Sequence, residues 1–406
     1  MNLAHKIRLT PTDTQEVYFK KGCGVARKAW NWGLNRWNEL YKAGEKPNAL
    51  KLKKEFNAIK KKEYPWTFEV TKYAAQQPFI FLGKAFSNFF KDRKKPKNKR
   101  RFGYPKFKKK GKSFDSFYIG GDQLKVQDNK VKIPNLGWVE MTETLRFEGK
   151  IQSATVSRQA DKWFISFCLD AIFTPKICEN QATIGVDLGV KSLATLSDST
   201  VYDGSKPLNF YQRRLKRLQR KRAKKQKDSN NFYKASMREA RLHYKISCIR
   251  KDALHKLTTF LTDNYRYIGV EDLNVKGMLA NHKLARAISD MGFHEFKRQL
   301  IYKAQMKGNV VFVADGWFAS SKTCCMCGFK KETLELSERT FNCEQCGSVL
   351  DRDLNAARNL EKQLYTESSS GIYACGQDGS YDLIHSGREP AWLNQEKEPV
   401  QICIGF

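Results

Sequence analysis

The chain is short of acid and has no long apolar run. It carries 42 Asp+Glu against 74 Lys+Arg, a formal net charge of +32 over 406 residues. No stretch approaches the ~18 apolar residues that a membrane span requires. The opening MNLAHKIRLTPTDT holds no apolar core of an export signal either. The expectation is a cytoplasmic, nucleoid-associated protein with no membrane partner. What is present points the same way: 41% hydrophobic and 12% aromatic residues suffice for sizeable cores, which excludes global disorder. The length predicts two to four packed units. A cation surplus of this size repels itself unless a polyanion lies against it, and nucleic acid is the usual one.

Without an export signal, eleven cysteines read as thiols and metal ligands rather than disulfides. Seven are scattered. The other four form two knuckles, Cys324-x₂-Cys327 and Cys343-x₂-Cys346, fifteen residues apart, each followed by a glycine, Gly328 or Gly347. Two knuckles of this spacing complete a tetrahedral four-cysteine site for one structural Zn²⁺, with a redox dithiol as the alternative. Cys325 stands too close to Cys327 to form a knuckle with it.

Along the chain, Trp30, Leu34, Trp37 and Tyr41 recur at helical spacing within 12–43, and Leu82, Phe86 and Phe89/Phe90 within 71–91. Both stretches predict helices of a small bundle with aromatic packing. Residues 91–112 then hold thirteen Lys/Arg and one acid, broken by Pro96, Gly103, Pro105 and Gly111. Such a run is neither a core nor a stable amphipathic helix. Because Phe102, Tyr104 and Phe107 interleave it, it suits a backbone-tracking, base-stacking contact better than a solvated tail; Arg100, Arg101, Lys108, Lys109 and Lys110 are its candidate contacts. Residues 116–170 alternate as β structure, and 1–10 reads as a strand of the same domain with the helices inserted after it. From Ala182 the order strand, strand, long helices, strand, helix, strand implies an α/β layer. Its helical arm opens with 213–227, ten Lys/Arg and no acid, where Arg213 and Arg217 are candidate phosphate contacts. The end of the chain reads as a flexible acidic tail.

Three carboxylates stand out by position. Asp187 lies in the apolar strand Ile184-Gly-Val-Asp, where a mid-strand charge is costly unless paired or metal-bound. Glu271 ends the strand Tyr267-Ile-Gly-Val-Glu, and Asp353 opens the helix Asp353-Leu-Asn-Ala-Ala-Arg-Asn. Together at one sheet edge they would suit Mg²⁺, which takes oxygen ligands and keeps sites for water and phosphate; two such ions serve phosphodiester hydrolysis. Taken singly, Asp353 as a helix cap, Glu271 as a solvated strand end and Asp187 as a lysine partner remain open.

Gly185-Val-Asp-Leu-Gly, Ile268-Gly-Val-Glu-Asp-Leu, Ser320-Ser-Lys-Thr-Cys-x₂-Cys-Gly, the second cysteine pair and Asp351-Arg-Asp-Leu-Asn-Ala-Ala-Arg-Asn occur in one order. In that order they resemble the TnpB family, transposon-encoded RNA-guided DNA nucleases of prokaryotic cells related to the compact type V CRISPR effectors. Gly103-Tyr-Pro-Lys-Phe-Lys-Lys-Lys and Ile133-Pro-Asn-Leu-Gly-Trp-Val extend the resemblance to residues 1–362. It implies an α/β plus β-barrel chain. A wedge-type β-barrel (1–10 and 113–180) would be interrupted by a helical recognition domain with basic linker (11–112). A RuvC (RNase H-like) nuclease core (181–318, closing at 351–364) would carry an inserted zinc ribbon (319–350), followed by the tail (365–406). It further implies that Asp187, Glu271 and Asp353 are catalytic and hold two Mg²⁺. The partners would be a guide RNA from the transposon end and double-stranded target DNA, with the chain acting as a monomer. A short DNA motif beside the target would be read by the protein while the guide reads the target; Lys72, Tyr73 and Gln76 resemble the motif-reading positions. Ala319 stands where the family often has Pro. An unguided RNase H-like DNA transposase and a nuclease-inactive RNA-guided repressor are the alternatives, the second disfavoured by the intact triad.

Overall fold

The computed structural model describes residues 2–171, 180–335, 337–369 and 402–404; of these, 2–171 with 402–404 form one compact unit and 180–335 with 337–369 another. In the first, β1 (Asn2–Leu9) precedes α1 (Asp13–Lys42), α2 (Ala49–Glu63) and α3 (Lys72–Arg93). Six strands follow: β2 (Ser116–Gly120), β3 (Lys125–Gln127), β4 (Lys130–Ile133), β5 (Gly137–Glu140), β6 (Gly149–Gln159) and β7 (Lys162–Ala171). Thr12 starts α1 with a reciprocal cap: its N–H donates to Gln15 Oε1 at 3.0 Å, and the Gln15 N–H donates back to Thr12 Oγ1 at 3.4 Å. Trp30, Leu34 and Trp37 are buried as their spacing predicts, and Trp37 stacks on Phe86 at 4.0 Å. Tyr41 departs from that stripe, 64% exposed in the last turn of α1, beyond the last buried residue Trp37. Phe90 is likewise exposed. The helix α2 was not expected: only Leu52 and Phe56 of it are buried, a single i, i+4 pair among lysines.

The strands of this unit form two sheets. In one, β1 lies antiparallel to β7 on one side and parallel to residues Ile402–Ile404 on the other, and β6 and β2 continue beyond β7; the other sheet is β3-β4-β5. They are bridged at Leu9 and Met141, and both face one core with the helices, in which Phe19, Phe117, Trp163, Val131 and Val139 are buried. The early strand therefore pairs with β7 across the whole helical insertion, as its sequence position implied.

The second unit runs β8 (Thr183–Asp187), β9 (Ala194–Leu196), β10 (Val201–Tyr202), α4 (Pro207–Ala223), α5 (Asn230–Asn264), β11 (Tyr267–Glu271), α6 (Val275–Ala280), α7 (Ala285–Met291), α8 (Phe293–Lys307), β12 (Val310–Ala314), β13 (Thr340–Asn342), β14 (Val349–Asp351) and α9 (Arg352–Ser369). Its main sheet has the order β10-β9-β8-β11-β12, with β8, β11 and β12 mutually parallel. Strands covered on both faces are apolar almost throughout, and here the two faces differ. Ile184, Val186, Ile268 and Val270 pack on Leu254, Leu257 and Leu261 of α5 and Phe296 and Leu300 of α8. The alternate positions face α9, where Phe312 and Ala314 meet Leu360 and Leu364. No described helix is long and apolar enough to cross a membrane. Of the expected acidic tail, 370–401 and 405–406 lie outside the described residues; 365–369 continue α9.

Candidate active site

The helix α9 lies on the sheet with almost nothing between. Gly185 and Gly269 are register partners on β8 and β11. A Cβ on Gly185 would stand 1.9 Å from the Ala357 carbonyl oxygen, and one on Gly269 2.7 Å from that of Leu360. These two glycines are a track for the helix backbone. Two residues of strand span about the same length as one turn of helix, so the contacts along β8 step by four along α9. The Thr183 hydroxyl donates to Glu361 Oε1 at 3.0 Å, Gly185 meets Ala357, and Asp187 faces the turn that holds Asp353. Asp187 and Glu271 each lie two residues beyond a track glycine, hence on the same face.

Asp187 is thus the last residue of β8 rather than a mid-strand charge, paired in register with Thr195 of β9. Burial, then the charges of Asp353 and Glu271, push its carboxyl up to about 8, with Arg352 opposing. Burial, then neighbouring Asp272, also raises Glu271. Asp272 itself is tied to Lys297 at 2.7 Å. Asp351 plays a different part, since its Oδ1 accepts the N–H groups of Asp353 (2.9 Å) and Leu354 (3.1 Å) and so caps α9. That leaves the Asp353 carboxylate beside Asp187. The charges of Asp353 and Glu271 both reach Asp187, and three carboxylates are an all-oxygen donor set of the kind that suits Mg²⁺.

The cysteines converge as their spacing predicts. The four Sγ atoms lie within 4.8 Å of one another, with Cys324 to Cys346 at 3.7 Å and Cys327 to Cys343 at 3.5 Å. A tetrahedral ion with metal–sulfur bonds of ~2.3 Å places its sulfurs ~3.8 Å apart, so the donor set fits zinc. Both knuckles use one backbone pattern. Gly328 N–H donates to Cys324 O and Gly347 N–H to Cys343 O, each at 3.0 Å; Cys324 and Cys343 N–H donate to Phe329 and Ser348 O. Gly328 and Gly347 have φ of +82° and +70°, the left-handed turn that lets the chain double back. Burial of Cys324 is outweighed by hydrogen bonds from Ser348 and the amides of Cys327 and Met326, which bring its thiol down to about 6.

Two asparagines that sequence reasoning missed join this ribbon to α9. Asn355 Oδ1 accepts the Cys325 N–H at 2.9 Å while its Nδ2 donates to Thr323 O at 2.7 Å; Asn359 Nδ2 donates to Ser320 O (2.8 Å) and Thr323 O (2.6 Å). Lys362 reaches Cys325 O. The i, i+4 spacing of two fully or nearly buried asparagines was the available signal. Cys325 therefore serves through its backbone, as the anchor of the first knuckle.

The basic segments divide. Residues 100–108 are strapped to the helices of the first unit: buried Asp92 accepts the N–H groups of Arg101 and Phe102, Trp30 Nε1 donates to Lys106 O, and Asn31 exchanges two hydrogen bonds with the Lys108 backbone. Arg100 turns inward to the carbonyls of Lys95 (3.0 Å) and Arg93 (3.2 Å). Lys108 Nζ rests 4.3 Å over the Trp30 ring, and burial lowers its pKa. Arg101, Lys109 and Lys110 are exposed, as are Phe102, Tyr104 and Phe107, though Tyr104 also packs edge-on against Phe86 and Phe89. In the second unit Arg213 and Arg217 line a cavity of about 390 Å³ with Lys216, Arg220, Lys221 and Lys224, one continuous stripe along α4 and its C-cap. Asp290 fixes the base of this arm, accepting the N–H groups of Leu208 and Asn209 at 3.0 Å and Arg250 at 3.1 Å. Of the three candidate motif readers, Lys72 pairs with Asp122 at 3.2 Å and Tyr73 hydrogen-bonds the same carboxylate; Gln76 shares their face of α3.

Three family models match the chain: the OrfB type of IS605 elements, described as "Probable transposase" (166–282), a Cas12f1-like TNB domain (293–360) and a helix-turn-helix domain (1–46). A protein of Escherichia coli K12, provisionally named RNA-guided DNA endonuclease InsQ, is 31% identical over 95% of both chains. A Streptomyces pristinaespiralis protein with the same provisional function name is 33% identical over 99% of this chain and 98% of its own length. The TnpB-like protein L79 of Acanthamoeba polyphaga mimivirus is 25% identical over 47% of this chain and 39% of its own. Among solved structures, a Cas12f1–sgRNA–target DNA complex aligns with 17% identity and a TM-score of 0.49, over 86% of this chain and 83% of that one. Identity of 31% and 33% over nearly the full length of such relatives, with the matching family models, makes this chain a member of the TnpB family.

Proposed function

We propose that the chain is an RNA-guided DNA endonuclease that hydrolyses phosphodiesters at the edge formed by Asp187, Glu271 and Asp353. The observation that carries this reading is the meeting of those carboxylates on one face of the sheet, with Asp187 pushed up to about 8. The names of full-length relatives in Escherichia coli and Streptomyces supply the substrate class. In this reading the three carboxylates hold two Mg²⁺, which when bound would neutralise the scissile phosphate and activate a water. The chain's own contribution is positional: β8 and β11 fix two carboxylates, the glycine track seats α9, and Asp351 holds the first turn so that Asp353 faces them. The cysteine ribbon holds one structural Zn²⁺ and steadies α9 through Asn355 and Asn359.

Guide RNA and target DNA are neutralised by exposed cations, with Arg101, Lys109, Lys110, Arg213 and Arg217 as contacts. Arg100 and Lys108 serve instead to hold the basic strap. The two sheets of the first unit act as the wedge barrel and its helices as the recognition insert. There Gln76, whose neighbours Lys72 and Tyr73 are engaged by Asp122, is the side chain available to read a base edge of the adjacent motif.

The test is cleavage of a plasmid matching the RNA that co-purifies with the chain, in Mg²⁺. Asp187→Ala should lose cutting by about 10³-fold or more while retaining RNA. Cleavage kept by that variant would remove the carboxylates from the mechanism. Absence of any bound RNA, with 3′-end joining in its place, would favour an unguided transposase.

A further inference from the structure

The same edge carries an aromatic side chain that is almost wholly exposed. Trp317 is 91% exposed, the most exposed large apolar residue among those described. Its position is fixed from both sides. Ala314, the last residue of β12, is the register partner of Glu271, and its carbonyl accepts the Asp272 N–H at 3.2 Å. The chain then makes a tight turn in which Asp315 Oδ1 accepts the Trp317 N–H at 2.8 Å and Asp315 O accepts that of Phe318 at 2.9 Å. At Gly316 a Cβ would stand 3.4 Å from Asp272 O, so this turn runs beside the residue that follows Glu271. Phe318 packs inward on the cluster of Phe312, Ala314, Leu360 and Leu364, and so anchors the turn to α9. Trp317, next to it, points into solvent.

Trp317 stands three residues beyond Ala314, a reach of at most about 10 Å. Strand C-termini are where parallel sheets present ligands, and here three such ends carry Asp187, Glu271 and the turn bearing Trp317. Exposing a whole indole is unfavourable unless something covers it. A cationic chain acting on phosphodiesters offers an obvious cover, the flat face of a base. In an intact duplex those faces are stacked on one another, so a base can reach the indole only when its strand is unpaired.

We infer that Trp317 is a stacking platform for an unpaired nucleic-acid base, holding a single strand across the carboxylate edge. This rests on the hydrolase reading of that edge and names the form in which substrate reaches it. Lys297, held at 2.7 Å from Asp272, the residue after Glu271, is a companion cation for the strand's phosphates.

The experiment measures equilibrium binding of a fluorescein-labelled unpaired DNA 12-mer, and of the same sequence as a blunt duplex, to the full chain. An Asp187→Asn background prevents turnover, so the result does not depend on cleavage. Trp317→Ala should weaken the unpaired probe about tenfold and Trp317→Phe about twofold, with duplex affinity and melting temperature unchanged. Equal affinity of Trp317→Ala and its parent for the unpaired probe would overturn the assignment. So would equal weakening for both probes, which marks a general surface effect, or a lowered melting temperature, which marks a structural ring. Failure of the hydrolase reading would appear separately, as absence of cutting by the unmutated chain in Mg²⁺.

Discussion

The cysteine ribbon and the carboxylate edge, the two places proposed to hold cations, are assembled in opposite ways. Each knuckle is closed by its own backbone within six residues, with a left-handed glycine at the same offset in both. Its ligands are near tetrahedral spacing before any ion is considered. The carboxylates come from residues 187, 271 and 353, and nothing local brings them together. They are brought towards one another because a helix lies on a pair of glycines, and burial, then the charges of Asp353 and Glu271, raises the pKa of Asp187. One site is formed by sequence neighbours and the other by packing, so they should fail differently.

The largest expected effect is on the ribbon. Cys343→Ser removes one of four thiolates, and structural zinc in such small units is worth on the order of 10 kcal/mol. Bound zinc should fall from one per chain to none by elemental analysis, and limited proteolysis should open 319–350. One zinc retained with unchanged protease resistance would show that the fourth ligand is elsewhere. Next comes the track. Gly185→Ala forces a methyl against a backbone carbonyl that cannot rotate away, which should cost about 3 kcal/mol or more in denaturant unfolding. Gly103→Ala, with nothing within 4 Å, is the control and should stay within about 0.5 kcal/mol. Equal effects would mean that α9 does not rest on the sheet through Gly185.

The carboxylate edge should respond to pH where the ribbon does not set the response. Asp187 has a folded pKa near 8 against an ordinary value of 3.8, so the folded chain binds more protons than the unfolded one between those values. Stability of the metal-free chain should therefore fall as pH rises from about 4 to about 8. Asp187→Asn removes that loss. Discounting for solvent screening at a site that is not fully buried, it should stabilise the chain by about 1–3 kcal/mol at pH 8 and by little at pH 4. Melting curves in chelator measure this, and Mg²⁺ should narrow the gap. A variant that melts no higher than the parent at pH 8 would show that the carboxylates do not repel.

How much of this was legible in the sequence follows from the same contrast. The ribbon was readable because CxxC spacing and a following glycine encode a local turn. The carboxylates were readable as three unusual positions, and the family resemblance joined them, but the means of assembly was not. Gly185 and Gly269 stood inside apolar strands with no role of their own until the register put them side by side under α9. The helix α2 was hidden because its buried face is two residues wide. Basic residues were the least legible, since charge density does not say where a cation points. Arg100 and Lys108, which looked like Lys109 and Lys110, turn back on carbonyls and an indole.

The smallest effect tests the joint between the two sites. Asn355 is fully buried and spends both ends of its amide on the stretch leading into the first knuckle. Asn355→Ala leaves the Cys325 N–H and the Thr323 carbonyl with one partner fewer, a cost of about 1–3 kcal/mol that Asn359 and Lys362 partly offset by holding the same segment. Because the knuckle closes on its own backbone, zinc should stay at one per chain. Because Asp353 shares the first turns of α9 with Asn355, the geometry at Asp187 should loosen, and the pH dependence of melting should weaken with it. Loss of zinc in Asn355→Ala would make the ribbon depend on packing as the carboxylates do, and the division between a locally closed site and a packed one would fall.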